Sequence, residues 1–75
     1  MRLRPISAKR LLSLLAKAGY SQIRQKGSHV VLRNAAGRLI VVPLHSREIG
    51  TGLLREIIRE MGLTREEFLR LLERV

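Results

Sequence analysis

Lys26-Gly27-Ser28-His29-Val30-Val31-Leu32-Arg33 is the stretch on which the fold turns. Glycine reaches the positive φ that a tight hairpin turn requires, so Lys26-Gly27 reads as a turn between two strands. From Ser28 to Arg33 the side chains alternate. Val30 and Leu32 point one way, and His29, Val31 and Arg33 point the other. If the two aliphatics meet the core, the histidine faces outward. Ser28 stands opposite His29 in this alternation and, with Gly27, reads as structural. Upstream, Tyr20 to Gln25 is a polar strand whose clearest inward residue is Ile23. Downstream, Asn34-Ala35-Ala36-Gly37 is a second turn. Arg38 to Val42 is a third strand, and the unbroken run Leu39-Ile40-Val41-Val42 suggests a strand that is central or covered on both faces. Pro43 ends it, because proline donates nothing to a ladder.

Helices flank this hairpin pair. Ser7 is placed to cap a first helix, with Ile6 and Leu11 as its hydrophobic staple. Leu11, Leu12, Leu15, Ala16 and Ala18 form an apolar stripe that ends at Gly19. Leu44 to Gly50 reads as a loop that contains His45, Arg47 and Glu48. A second helix starts near Thr51, carries Leu53, Leu54, Ile57, Ile58 and Met61 on one face, and stops at Gly62. Thr64-Arg65-Glu66-Glu67 has the form of a capping box for a last helix to about Glu73, with Leu63 stapled to Phe68. The order is α-β-β-β-α-α. The economical packing is an α+β domain: a three-stranded antiparallel sheet with the helices on one face. No linker, repeat or low-complexity segment divides it, so residues 1–75 read as a single domain.

The chain has 75 residues and no cysteine. A domain this short buries roughly 60% of the surface its unfolded chain exposes, and no disulfide supplements that core. No apolar run approaches the ~18 residues that a membrane span requires. Basic residues open the chain, but Lys9, Arg10 and Lys17 interrupt any secretory h-region; the absence of cysteine fits a reducing, cytoplasmic setting. The net charge is +9. All of that excess lies in residues 1–50, where ten Lys and Arg face the single acid Glu48; residues 51–75 balance five Arg against five Glu. Such a field attracts nucleic acid, an anionic membrane or an acidic protein.

Nearly the whole chain resembles the HicA-type (YcfA-like) toxins of toxin–antitoxin systems. The resemblance rests on an ordered set of segments: Ala18-Gly19-Tyr20, Arg24-Gln25-Lys26-Gly27-Ser28-His29, Val41-Val42-Pro43-Leu44-His45, Glu48-Ile49-Gly50-Thr51-Gly52-Leu53-Leu54, Ile57 to Thr64, and Glu66-Glu67-Phe68-Leu69. It implies a fold like a double-stranded-RNA-binding domain and the activity of an mRNA interferase, an endoribonuclease acting on mRNA. It also implies a HicB-type antitoxin as partner. The family's catalytic histidine lies in its Gly-Ser-His motif, which places it here at His29. The family often has a second polar residue or histidine directly after that position. Here Val30 stands there, so a site paired at 29 and 30 is excluded.

The chemistry suits the residues. RNA carries its own nucleophile, the 2′-hydroxyl, so cleavage needs a proton acceptor, a group to stabilise the crowded phosphate, and in-line geometry. Histidine, with an ordinary pKa of about 6.5, exchanges protons near neutral pH. His29 is therefore the candidate general base or acid. Lys26, in the turn beside it, is the candidate transition-state stabiliser, and Arg24 and Arg33 are candidate RNA-backbone binders. His45 is either the complementary acid or, the favoured reading, a residue that orients its loop. Tyr20 either stacks on a base or, more commonly for a lone tyrosine after a helix, joins the core. The chain has no Asp, and Glu48 is the only acid before residue 56. It thus lacks the carboxylate cluster of a two-metal nuclease. No metal or other cofactor is expected, and metal-independent cleavage would leave a 2′,3′-cyclic phosphate and a 5′-hydroxyl. The alternative is a non-catalytic RNA-binding module of the same fold class. Against it, the second helix opens Thr51-Gly52-Leu53-Leu54-Arg55, without lysines to track phosphates across a groove. A third reading is a domain that binds only an acidic protein partner.

Overall fold

The computed structural model describes residues 2–45 and 47–75. The elements are β1 (Ile6–Ser7), α1 (Ala8–Lys17), β2 (Ser21–Lys26), β3 (His29–Arg33), β4 (Leu39–Pro43), β5 (Glu48–Ile49), α2 (Thr51–Glu60) and α3 (Arg65–Leu72). The expected three-stranded antiparallel sheet is present in the order β2-β3-β4, with β3 in the centre. Together with the helices it makes an α+β fold consistent with a double-stranded-RNA-binding-domain-like architecture. A second, two-stranded ribbon was not expected. β1 pairs antiparallel with β5 through Ile6–Ile49 and Ser7–Glu48, inside the stretch read as the Leu44–Gly50 loop. Ser46 of that loop lies outside the described residues.

The local signals behave as their chemistry dictates. The Ser7 hydroxyl accepts the Arg10 N–H at 3.0 Å and starts α1. The Thr64 hydroxyl accepts the Glu67 N–H, and the Glu67 carboxylate accepts the Thr64 N–H, which completes the capping box of α3. Gly27 has φ +59°, and among the described residues only glycines have positive φ. Since Lys26 pairs with His29, the two-residue turn is Gly27-Ser28, one position later than the sequence suggested. Positive φ at its first position alone is the pattern of a type II′ turn, which matches the twist of the flanking strands.

The core lies between one sheet face and the helices. Val30, Leu32, Ile40 and Val42 supply the sheet side, and Leu11, Leu14, Leu15, Leu54, Ile57 and Phe68 the helical side. α1 and α2 contact β4, while α3 packs against both helices. The apolar stripe of α1 is therefore rotated from the expected one. Leu14 is fully buried, whereas Leu12 is only partly covered and Ala16 is exposed. Two strand expectations are also corrected. Ile23, read as inward, is 48% exposed. A bulge between Gln22 and Arg24 leaves it without a cross-strand partner, and the extra residue breaks the alternation that would have turned it inward. β4 is an edge strand with only one face covered, leaving Leu39 and Val41 exposed. All six residues of β2 are exposed.

Candidate functional site

Residues directly opposed across an antiparallel pair share a face. The register therefore builds the outer sheet face row by row. Lys26, His29 and Pro43 form the first row; Arg24, Val31 and Val41 the second; Ser21, Arg33 and Leu39 the third. The inner face is the complementary set headed by Val30, Leu32, Ile40 and Val42. Alternation thus does what the sequence suggested: burial of Val30 and Leu32 turns His29 out to solvent. Lys26 is its neighbour on β2, and Arg24 and Arg33 stand one and two rows away on the same face. The four side chains singled out on β2 and β3 come together on one basic surface.

His45 joins them. Its ring centroid lies 6.0 Å from that of His29, with the planes tilted by 47°. The backbone explains the approach. The Leu44 N–H donates to the Ser28 carbonyl, one step beyond the His29–Pro43 pair, so the chain leaving β4 is held against the turn that precedes His29. The Gln25 side-chain amide also donates to the Gly27 carbonyl at 3.2 Å and braces the same turn. His45 is exposed, and its ring makes no hydrogen bond among the described residues. Sequence reasoning weighed its two roles without knowing this proximity. No local sequence signal places it there, because the approach depends on the register that sets Pro43 opposite His29.

Tyr20 is placed otherwise. It is 5% exposed and part of the core, so its ring offers no face to a base. Its hydroxyl is buried without a hydrogen-bond partner among the described residues. Ser28 is partly buried within the turn, and Gly27 holds the turn's positive φ. Among the described residues no three His, Cys, Asp or Glu side chains gather where a metal ion would bind. No described helix is long and apolar enough to cross a membrane.

The outer face thus combines two exposed histidines, a lysine and two arginines with a patch of exposed aliphatics. It is equipped to hold a polyanion and to exchange protons with it. A protein-family model described as HicA toxin of bacterial toxin–antitoxin matches residues 8–63. The chain belongs to the HicA toxin family. The match begins at the first residue of α1 and runs through the sheet and α2, so both histidines of the HicA-family face lie within it. Membership makes the protein the toxin component of a toxin–antitoxin pair and implies an antitoxin as its partner. A comparison with curated proteins finds no significant match.

Proposed function

We propose that this HicA-family toxin is an endoribonuclease, an mRNA interferase that cleaves RNA in the cytoplasm by histidine acid–base catalysis without a metal ion. The observation that carries this reading is the pair of exposed rings, His29 and His45, 6.0 Å apart on a sheet face lined by Lys26, Arg24 and Arg33. In the proposed reaction one histidine takes the proton of the ribose 2′-hydroxyl. The 2′-oxygen bonds to phosphorus, and the bond from phosphorus to the 5′-oxygen breaks. The other histidine delivers a proton to that leaving oxygen. The products are a 2′,3′-cyclic phosphate and a 5′-hydroxyl. His29 fills the first role and His45 the second. Lys26, across the strand pair from His29, stabilises the extra negative charge on the phosphate in the transition state. Arg24 and Arg33 position the RNA backbone.

Toxicity implies restraint. The exposed Leu39 and Val41, with Val31 between the strands, give the same face an apolar component suited to a protein partner. A HicB-type antitoxin bound there would mask both histidines.

Incubation of the protein with a defined single-stranded RNA in EDTA, with the product ends resolved, tests the reading. The expected result is cleavage to cyclic-phosphate termini, reduced about 10²–10⁴-fold by His29→Ala. Dependence on magnesium would overturn the metal-free mechanism. Binding without scission by both proteins would leave a non-catalytic RNA-binding module. A His45→Gln variant is expected to lose about 10²-fold in turnover, and unchanged turnover would remove it from the acid role.

A further inference from the structure

A second concentration of arginine lies outside this sheet face. A cleft of about 390 Å³ runs between the segment that precedes α1 and the end of α3. Its charged walls are Arg2, Arg4 and Arg10, with Glu73 as the one acid; its apolar lining is Pro5, Ile6, Leu69 and Leu72. A second cleft, of about 400 Å³, opens on the other side of the same segment and adds Arg55 to Arg2 and Arg4. One wall is set in place, because a terminal nitrogen of Arg10 donates to the Leu72 carbonyl at 3.2 Å. A guanidinium has five donors, so this contact fixes its direction and leaves others for a ligand. Arg2 and Arg4 make no ion pair or hydrogen bond through their side chains among the described residues.

A short run of backbone links the cleft to the histidines. His29 pairs with Pro43, so β4 finishes beside the β2–β3 turn. The chain passes His45 and is tied down at Arg47, whose carbonyl accepts the Ala8 N–H at 2.9 Å. Ala8 opens α1, and Lys9 and Arg10 follow it. Arg47 and Arg10 thus flank the backbone junction between His45 and the cleft, with Glu48 beside it.

We infer that the arginine-lined cleft is a subsite for the flank of a single-stranded RNA whose reactive phosphate lies on the sheet face; this rests on the ribonuclease reading above. Guanidinium groups match phosphate geometry with two parallel hydrogen bonds. Pro5 and Leu72, the more exposed of the cleft's apolar lining, give a base aliphatic surface to cover, with no aromatic platform for stacking. A strand stacked at about 3.4 Å per nucleotide needs roughly ten nucleotides to span the molecule's 33 Å long axis. About five nucleotides cover only about half of that length and fit the sheet face, whereas about twenty exceed it and reach the cleft as well.

The test uses the His29→Ala protein, so that binding is read without cleavage, with and without Arg2→Gln and Arg4→Gln. Both arginines are exposed, and circular dichroism checks that the fold is kept. Fluorescence anisotropy measures the affinity for labelled RNAs of about five and about twenty nucleotides over a range of salt. The expected result is at least a tenfold loss for the long RNA and less than a twofold change for the short one. The salt slope of the long RNA should become shallower by about 1.4, the value for two lost phosphate contacts on a single strand. An unchanged affinity and slope for the long RNA would overturn the inference, as would equal losses for both lengths. A loss confined to binding of the cognate antitoxin would make the cleft a protein contact and overturn it too. A background protein that binds both lengths equally well removes the subsite but not the ribonuclease reading. One that binds neither removes both.

Discussion

At the residue scale, the same physical rule was readable at one aromatic or imidazole side chain and silent at the next. His29 was legible as outward because a strand has period two and its neighbours Val30 and Leu32 are apolar. His45 was not legible, because its position beside His29 depends on a cross-strand register and on one hydrogen bond from Leu44 to Ser28. Tyr20 was ambiguous, since a residue after a helix carries no period of its own. Its burial leads to a prediction that separates ring from hydroxyl. A buried hydroxyl without a partner costs about 1–3 kcal/mol, and that of Tyr20 has none among the described residues. Tyr20→Phe is therefore expected to leave stability within about 1 kcal/mol of wild type or to raise it. Tyr20→Ala, which also removes the ring from the core, is expected to cost about 3–5 kcal/mol. Urea unfolding of the two variants measures both. A large loss from Tyr20→Phe would mean that the hydroxyl has a partner.

At the element scale, the ends of the helices and of β2, β3 and β4 were legible to within a residue, while the extra ribbon, the bulge and the exposed face of β4 were not. Capping is local chemistry written in consecutive residues, as Ser7 and Thr64 show. The β1–β5 ribbon has two residues in each strand, too few for any period. The bulge at Ile23 is set by its partner strand. Four apolar residues in a row on β4 hid an alternation that solvent exposure reveals at Leu39 and Val41. Two predictions belong here. The backbone and side-chain hydrogen bonds from Thr64 hold the Glu67 carboxyl below its usual range, with Arg70 acting in the same direction. A carboxyl lowered in the folded state stabilises it above the ordinary carboxylate range, and that contribution is lost as pH falls through the folded-state value. Acid unfolding followed by circular dichroism should therefore show a weaker pH dependence in Glu67→Gln than in wild type. An identical slope would mean that the capping box contributes nothing in solution. Gly62 closes α2 with φ +74°, and the Arg38 guanidinium, donating to the Glu60 carbonyl at 3.0 Å, occupies the space a Cβ would need. Gly62→Ala is expected to lower stability by about 1–2 kcal/mol from backbone strain alone, and thermal melting measures it.

At the scale of the whole molecule, the charge and the core are distributed differently along the chain. The basic excess lies in residues 1–50, yet the C-terminal third, which carries no net charge, holds up the surface on which those cations act. The family match ends at residue 63, before α3, but Phe68 of α3 is completely buried and Leu69 nearly so. They enter the same core as Val30 and Leu32, whose burial turns His29 outward. A 75-residue domain has a total stability of roughly 4–11 kcal/mol at about 0.05–0.15 kcal/mol per residue. Truncating a buried phenylalanine to alanine removes about 3–5 kcal/mol. Phe68→Ala should therefore lose between about a quarter and all of the folding free energy, although it lies outside the matched segment. Its urea midpoint is expected to fall steeply with little change in the dependence on urea concentration. Any ribonuclease activity should fall in proportion to the folded fraction and recover when conditions restore folding. If Phe68→Ala unfolds at the wild-type midpoint, α3 is not part of the cooperative core, and the wall that Leu69 and Leu72 give to the arginine cleft loses its support.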